Sequence, residues 1–437
     1  MKVVILGLGQ YEHGSGIAAA LYYARRGDEV VVTDLKKPAL LGQNPKKLKA
    51  FKHVRLVLGR HDLDDIREAD LVVRNPGIPE RAEPLKLAKK LGKPIVSDVS
   101  IFLEQCPAKV IGITGTRGKS TTASLLADIL RASKKWKHVW LGGNILMSPL
   151  LFLEQVGKQD IVVLELSSWQ LESLGERGVS PKIALWTNLM RDHLNTYGSM
   201  EEYAEAKAQI FRHQGPRDKV FLPANAAFNG YAKEAASRVY RWGKKGSEEI
   251  KIVDASDMRL KGEHNRMNAI SAVSVARMLK VTKFVILRVL KTFKGVPNRQ
   301  EILGKKHGVL IVNDTTSTTP DAAIAAIKRF SMEGELYMIF GGADKELVFD
   351  DVAKELKNHK VHIALLPGTA HAAIVKQFTK SGVDYFDVRN LKEAVSRLMR
   401  QAKKGDVLLL SPGAASFGLF KNEFDRGEQF RALVAKL

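Results

Sequence analysis

The chain has 437 residues, 45% of them hydrophobic and 27% charged, with a single cysteine and a formal net charge of +22. That length exceeds one ordinary core and implies two or three domains, and the composition is that of a soluble globular protein. Cys106 alone cannot form an internal disulfide and fits a reducing cytosol. No apolar run reaches about 18 residues and no charged-then-apolar leader opens the chain, so a cytoplasmic protein without membrane span or secretory signal is expected. The positive excess invites a nucleic-acid reading. Its lysines, however, are scattered as pairs such as Lys36-Lys37, Lys89-Lys90 and Lys403-Lys404, without a basic tail or an aromatic platform. A solvated basic surface that attracts anionic substrates is the simpler account, and no nucleic-acid partner is expected.

In chain order, KVVILGLG reads as a strand, followed by a glycine-rich turn, a helix over roughly Ser15 to Arg26 and a second strand, EVVVTD, ending at Asp34. This is the first βαβ unit of a doubly wound sheet, and an acidic residue ending the second strand is placed to meet a ribose or base. The glycines, Gly7, Gly9, Gly14 and Gly16, are looser than GxGxxG, which leaves dinucleotide, mononucleotide and structural turns equally open. Further strands are expected near residue 57 and in DLVVRNPGIP, where Pro76-Gly77 breaks the chain just past a strand end. Cys106-Pro107 makes a boundary that gives a first domain of 1–107.

A second domain, 108–297, opens with KVIGITGTRGKSTTASLLADIL. A buried strand, the turn Gly115-Thr116-Arg117-Gly118-Lys119-Ser120-Thr121 and a helix form a phosphate loop in which glycine lets backbone N–H groups approach an anion at the helix's positive end. Lys119 supplies a point charge and Ser120 a hydroxyl for Mg²⁺, although Ile113 stands where the first glycine of a full P-loop belongs. The stretch 161–172 reads as strand, and Glu165 within it requires a compensating cation or hydrogen bonds. A strand is expected to end at Thr187-Asn188, His193 to lie in a loop, and Lys207 on a helix from about Ser199 to Arg212; singly, the last two read as surface residues. Asn265 and Asn268 share one helix side, with Asn265 read as a cap. In a third domain, 298–437, strands alternate with helices, which implies a parallel sheet covered on both faces.

Together GTRGKST at 115–121, GGN at 142–144, LELSSWQLE at 164–172, TNLMRDHLNTY at 187–197, YAEAKAQIF at 203–211, GEHNRMNA at 262–269, GVPNRQE at 295–301, ND at 313–314 and LLSPGAASFGLFKN at 409–422 resemble, in order, the motifs of the Mur ligase family. The resemblance implies an α/β protein of three domains: an N-terminal Rossmann-like UDP-binding domain, a central P-loop ATP-binding domain and a C-terminal Rossmann-like domain that brings in an amino acid. It implies ATP-dependent amide formation in peptidoglycan precursor synthesis, nearest to the addition of D-glutamate to UDP-N-acetylmuramoyl-L-alanine through an acyl phosphate, by a monomer. By the same resemblance, Gly115 to Thr121 with Asn268, Arg299 and Asp314 bind ATP. Ser120, Glu165, His193 and Lys207 hold Mg²⁺ at two sites, with Lys207 carbamoylated, and Lys119, Asn144, His193 and Lys207 serve catalysis. Gly9, Gly14, Asp34, Asn75 and Gly77 hold the UDP substrate, and Lys345 and Ser416 contact glutamate.

Three positions depart from the family pattern. Arg117 stands where asparagine is usual, Thr316 replaces a lysine near the glutamate or phosphate, and Glu423 follows Lys421-Asn422 where an aromatic residue is expected. The last two surround the incoming amino acid, so L-glutamate or another acidic amino acid is an alternative to D-glutamate. A basic nucleic-acid-associated ATPase would leave Glu165, His193 and Lys207 without a role, and a dehydrogenase would lack a hydride-transfer acid or base.

Overall fold

The computed structural model describes residues 1–145, 147–192, 197–344, 347–416 and 418–437. Two compact units are present, one of Met1–Arg259 with Glu263–Phe293 and one of Leu260–Gly262 with Lys294–Leu437. The first unit carries two parallel sheets. In its N-terminal part, β1 (Lys2–Leu6), β2 (Glu29–Asp34), β3 (Val54–Leu58), β4 (Leu71–Arg74) and β5 (Ile95–Val96) run in the order β3-β2-β1-β4-β5. Alternate residues of β1 enter different cores, Val3 and Ile5 on one face and Val4 and Leu6 on the other, so both faces are covered and the strand reads as continuously apolar.

The second sheet orders β6 (Lys109–Thr114), β7 (Val139–Gly143), β8 (Ile161–Glu165), β9 (Ile183–Trp186), β10 (Lys219–Pro223) and β11 (Arg238–Trp242) as β11-β10-β9-β6-β8-β7. Here β6 lies between β8 and β9, where the strand order reverses and open α/β sheets bind ligands. One hydrophobic core runs through both parts of this unit, with Phe102 set edge-on to Phe152 at 5.5 Å between ring centroids.

Two expectations are corrected in this unit. The stretch 161–172 is strand only to Glu165; Ser167 caps a helix, Ser168–Glu176, through a reciprocal bond pair with Gln170, and an N-cap signal outweighs the apolar run. Asn265 is no cap, because its helix, Glu263–Met278, begins two residues earlier and places it inside the first turn.

The second unit contains one six-stranded sheet in the order β12-β13-β17-β14-β15-β16, built from β12 (Glu301–Lys306), β13 (Val309–Asn313), β14 (Leu336–Phe340), β15 (Val361–Leu365), β16 (Phe386–Asp387) and β17 (Val407–Leu410). The all-parallel expectation fails at β12, which pairs antiparallel with β13. The two-residue connection His307-Gly308, with φ of 50° and 80°, permits only a hairpin there. Among the described residues no helix is long and apolar enough to cross a membrane.

Candidate active site

The phosphate-loop stretch folds as expected into β6, a turn and the helix Lys119–Ser133, whose N-cap is Gly118 at φ 78°. Neighbours impose the glycines: a Cβ at Gly115 would lie 2.0 Å from Thr187 Oγ1, and one at Gly118 would lie 2.0 Å from Asn268 Oδ1. Asn268 is thereby brought against the loop. Thr116 and Arg117 do not aim their N–H groups outward. Both amides donate to Asn188 Oδ1, at 3.1 and 2.9 Å, while Thr187 Oγ1 and Asn188 Nδ2 donate to the Arg117 carbonyl at 2.9 and 3.0 Å. The anion-facing amides are therefore those of the helix's first turn, Lys119 to Thr121, which precede the first intrahelical bond from Thr122 N–H to Gly118 O.

Lys119 Nζ curls back to the carbonyls of Gly115 and Thr116, at 2.9 and 3.0 Å. Lys207, on the helix Met200–Arg212, is 1% exposed, and its Nζ also donates to Gly115 O, at 3.1 Å. It lies over the Tyr203 ring, 4.3 Å from the centroid. Burial, reinforced by the charge of Lys119, pushes the Lys207 amine down to about 6, so it is largely unprotonated at neutral pH. Lys207 is thus no surface lysine.

Glu165 ends β8 in register with Ile113 of β6 and is 2% exposed. Its Oε1 accepts from Asn144 Nδ2 at 2.9 Å, and Asn144 N–H bonds the Glu165 carbonyl at 2.8 Å. Its Oε2 is buried without a hydrogen-bond partner among the described residues. An orphaned carboxylate oxygen beside a phosphate loop fits a cation such as Mg²⁺, with Ser120, 8% exposed, supplying a hydroxyl from the helix start. No three His, Cys, Asp or Glu side chains gather at metal-holding spacing among the described residues. His193 lies outside them, as does Lys345.

In the N-terminal sheet, Asp34 ends β2 and the other expected substrate residues lie on loops at the strand ends. Gly9 N–H donates to Asp34 Oδ2 at 3.1 Å and Lys36 N–H to Asp34 Oδ1 at 2.8 Å, so Asp34 shapes the glycine loop. Asn75 Nδ2 donates to Gly7 O at 3.0 Å, Gly77 N–H to Asn75 Oδ1 at 3.1 Å, and Gly14 N–H to Tyr11 O at 3.0 Å. Asn44, fully buried and absent from the expectations, bonds the carbonyls of Gly9 and Tyr11.

In the second unit, Arg299 sits on a strained turn between Asn298 and Gln300, at φ 65° and 44°. Asp314, 3% exposed, accepts from Gln300 N–H at 2.9 Å and Ser411 Oγ at 2.8 Å, and burial pushes its carboxyl up to about 7. Thr316, the departure, donates through N–H and Oγ1 to Asn298 O, at 3.1 and 2.9 Å, and so braces that turn. Ser416 is buried at 3% exposure after β17, where Ala415 and Ala343 exchange backbone bonds. Arg426, which sequence reasoning missed, is fully buried: Nε donates to Thr315 Oγ1 at 3.1 Å and Nη2 to Thr315 O at 2.8 Å. Nothing in its sequence surroundings signals that role.

A doubly wound unit with a lysine-bearing phosphate loop, a buried carboxylate with one unpartnered oxygen and a second α/β unit defines a nucleotide-dependent α/β enzyme. Three family models match in order: the Mur ligase MurD-like N-terminal domain over 1–97, the Mur ligase middle domain over 113–276 and the Mur ligase glutamate ligase domain over 298–413. The chain belongs to the Mur ligase family. It is 38% identical to the UDP-N-acetylmuramoylalanine--D-glutamate ligase of Roseiflexus sp. (strain RS-1), over 99% of this chain and 98% of that one. Identity to the enzymes of that name from Borreliella afzelii and Clostridioides difficile is 34% and 32%, over 100% of this chain and 98% of each. Solved structures share the fold: MurC of Thermotoga maritima (TM-score 0.62, 18% identity, 100% of this chain and 99% of that one) and MurF of Acinetobacter baumannii (0.63, 18%, 100% and 93%).

Proposed function

We propose that the protein is an ATP-dependent ligase that joins D-glutamate to UDP-N-acetylmuramoyl-L-alanine in peptidoglycan precursor synthesis. The observation that carries the reading is the convergence of Lys119 and Lys207 on Gly115 O beside the unpartnered oxygen of Glu165. That is a cluster of groups suited to negative charge and a cation. The division of labour is three domains, 1–107 for the UDP substrate, 108–297 for ATP and 298–437 for the amino acid, acting as a monomer.

Two anions, the alanyl carboxylate and the ATP γ-phosphate, must meet before an acyl phosphate forms and the glutamate amine displaces phosphate from it. Mg²⁺, held at two sites by Ser120, Glu165, His193 and Lys207, would offset that charge when bound. Lys119 exchanges the loop carbonyls for phosphate oxygens, and the first-turn amides of Ser120 and Thr121 orient them. Asn144 steadies Glu165 and the reacting carboxylate. Lys207, an unprotonated amine at neutral pH, takes up CO₂, giving a carbamate and a proton, and so becomes an anionic ligand. Asn268, Arg299 and Asp314 grip the nucleotide, Gly9, Gly14, Asp34, Asn75 and Gly77 the UDP group, and Lys345 and Ser416 the glutamate.

The test supplies ATP, Mg²⁺ and UDP-N-acetylmuramoyl-L-alanine with D-glutamate, L-glutamate or other amino acids in parallel, and follows phosphate release and product mass. Product only with D-glutamate is expected. Preference for L-glutamate sinks the stereochemical claim, and no product with any amino acid sinks the ligase. Lys207→Ala should abolish turnover, with partial rescue by short carboxylic acids; unchanged activity refutes its role.

A further inference from the structure

The loop Gly115–Thr121 spends its early amides on the protein. With Thr116 N–H and Arg117 N–H both committed to Asn188 Oδ1, a bound triphosphate meets the helix's first turn and side-chain cations in place of a full ring of backbone donors. Arg117 is one of those cations, two residues before Lys119. Its N–H is held by Asn188 and its carbonyl by Thr187 and Asn188, so the guanidinium extends from a fixed stretch of backbone. The side chain is 38% exposed and faces Asp192, 24% exposed, across 3.8 Å. A long, half-wet pair of this kind contributes little and exchanges readily. Asp192 lies within electrostatic reach of Lys207 and Tyr203, which puts the pair in the neighbourhood of the two lysines that meet at Gly115 O.

We infer that Arg117 is a catalytic cation for phosphoryl transfer: Asp192 holds it at the rim while the nucleotide is absent, and a bound triphosphate draws it onto the terminal phosphoryl group. This rests on the reading of the loop as the ATP phosphate site. In the transfer, the substrate's carboxylate oxygen bonds the γ-phosphorus while the bond from that phosphorus to the β,γ-bridging oxygen breaks. ADP leaves with the electron pair and no proton moves. The forked guanidinium matches the oxygens of the group in flight better than a point charge does.

The full chain with Mg²⁺ is titrated calorimetrically with ADP and with a non-hydrolysable imido analogue of ATP. Arg117→Ala should bind ADP within about twofold of the parent and the analogue about tenfold more weakly, since only the latter presents the terminal group. Its kcat for phosphate release should fall on the order of 10²-fold, with Arg117→Lys recovering part of the loss. Asp192→Asn should tighten the analogue about two- to fivefold, the fold-change corresponding to an exposed ion pair. Equal weakening of both nucleotides in Arg117→Ala marks a structural loop residue and overturns the inference, as does unchanged analogue binding. An unchanged analogue affinity in Asp192→Asn removes the latch. The nucleotide comparison needs no acceptor, so a parent that makes no ligation product yet shows this pattern defeats the ligase reading and leaves Arg117 standing.

Discussion

Two buried carboxylates stand at strand ends in different sheets, Glu165 closing β8 and Asp314 following β13, and their oxygens are treated differently. Glu165 has one oxygen on Asn144 and one with no hydrogen-bond partner among the described residues. Asp314 has both oxygens served, one by Gln300 N–H and one by Ser411 Oγ. A buried oxygen that lacks a donor is costly, and the cation proposed for Glu165 would offset that cost. Asp314 is a completed joint that ties the ends of β13 and β17 to the Asn298–Gln300 turn. Burial alone does not tell an acid with an open oxygen from one already braced by the protein; the distribution of donors does.

Replacing each carboxylate by its amide should break this symmetry most sharply. Glu165→Gln keeps the volume and removes the charge meant for a cation, so product formation should fall on the order of 10²–10³-fold, and the Mg²⁺ concentration for half-maximal rate should rise. An unchanged rate would return Glu165 to a structural role. For Asp314→Asn the clearest readout is stability. The folded carboxyl lies near 7, above its unfolded value, so its stabilising contribution is complete below the unfolded pKa and is lost as pH rises through about 7. The parent should therefore lose stability between about pH 4 and 7 more than Asp314→Asn does, as denaturant midpoints at several pH values would reveal. Parallel pH profiles would show the carboxyl to be ionised throughout. The smallest effect belongs to Thr316→Val, which removes the hydroxyl bond to Asn298 O. A cost of about 1 kcal/mol is expected, seen as a midpoint lowered by about 2–4 °C, and a larger loss would mean that the turn depends on this one bond.

Much of the architecture was legible because parallel strands covered on both faces are continuous apolar runs: KVVIL, KVIGIT and LYMIF each stand out from their surroundings. The strand β12 was not, since EILGKK is an edge strand with Ile302 46% exposed and two lysines, and its pairing is set by the hairpin turn. Within the site, Lys119 and Glu165 stood out in the residues themselves, and the resemblance added Lys207 and Asn144. The clamp of Thr187 and Asn188 on the loop escaped notice because the partners are about 70 residues apart and hydroxyl and amide groups are common at strand ends. Arg426 was hidden for the opposite reason: arginine is ordinarily a surface residue, and only the fold surrounds this one with backbone carbonyls.

By itself the sequence determined most of the alternating strands and helices, the phosphate loop and the family, because local periodicity and motif spacing are written in contiguous residues. Tertiary structure decided the chemical state of those residues. The Lys207 amine is pushed down to about 6 by burial and the charge of Lys119, Glu165 keeps an open oxygen because Asn144 reaches only its partner oxygen, and Arg117 is tethered because Asn188 takes its N–H and that of Thr116. Desolvation and donor geometry depend on groups far apart in the chain, and only folding brings them together.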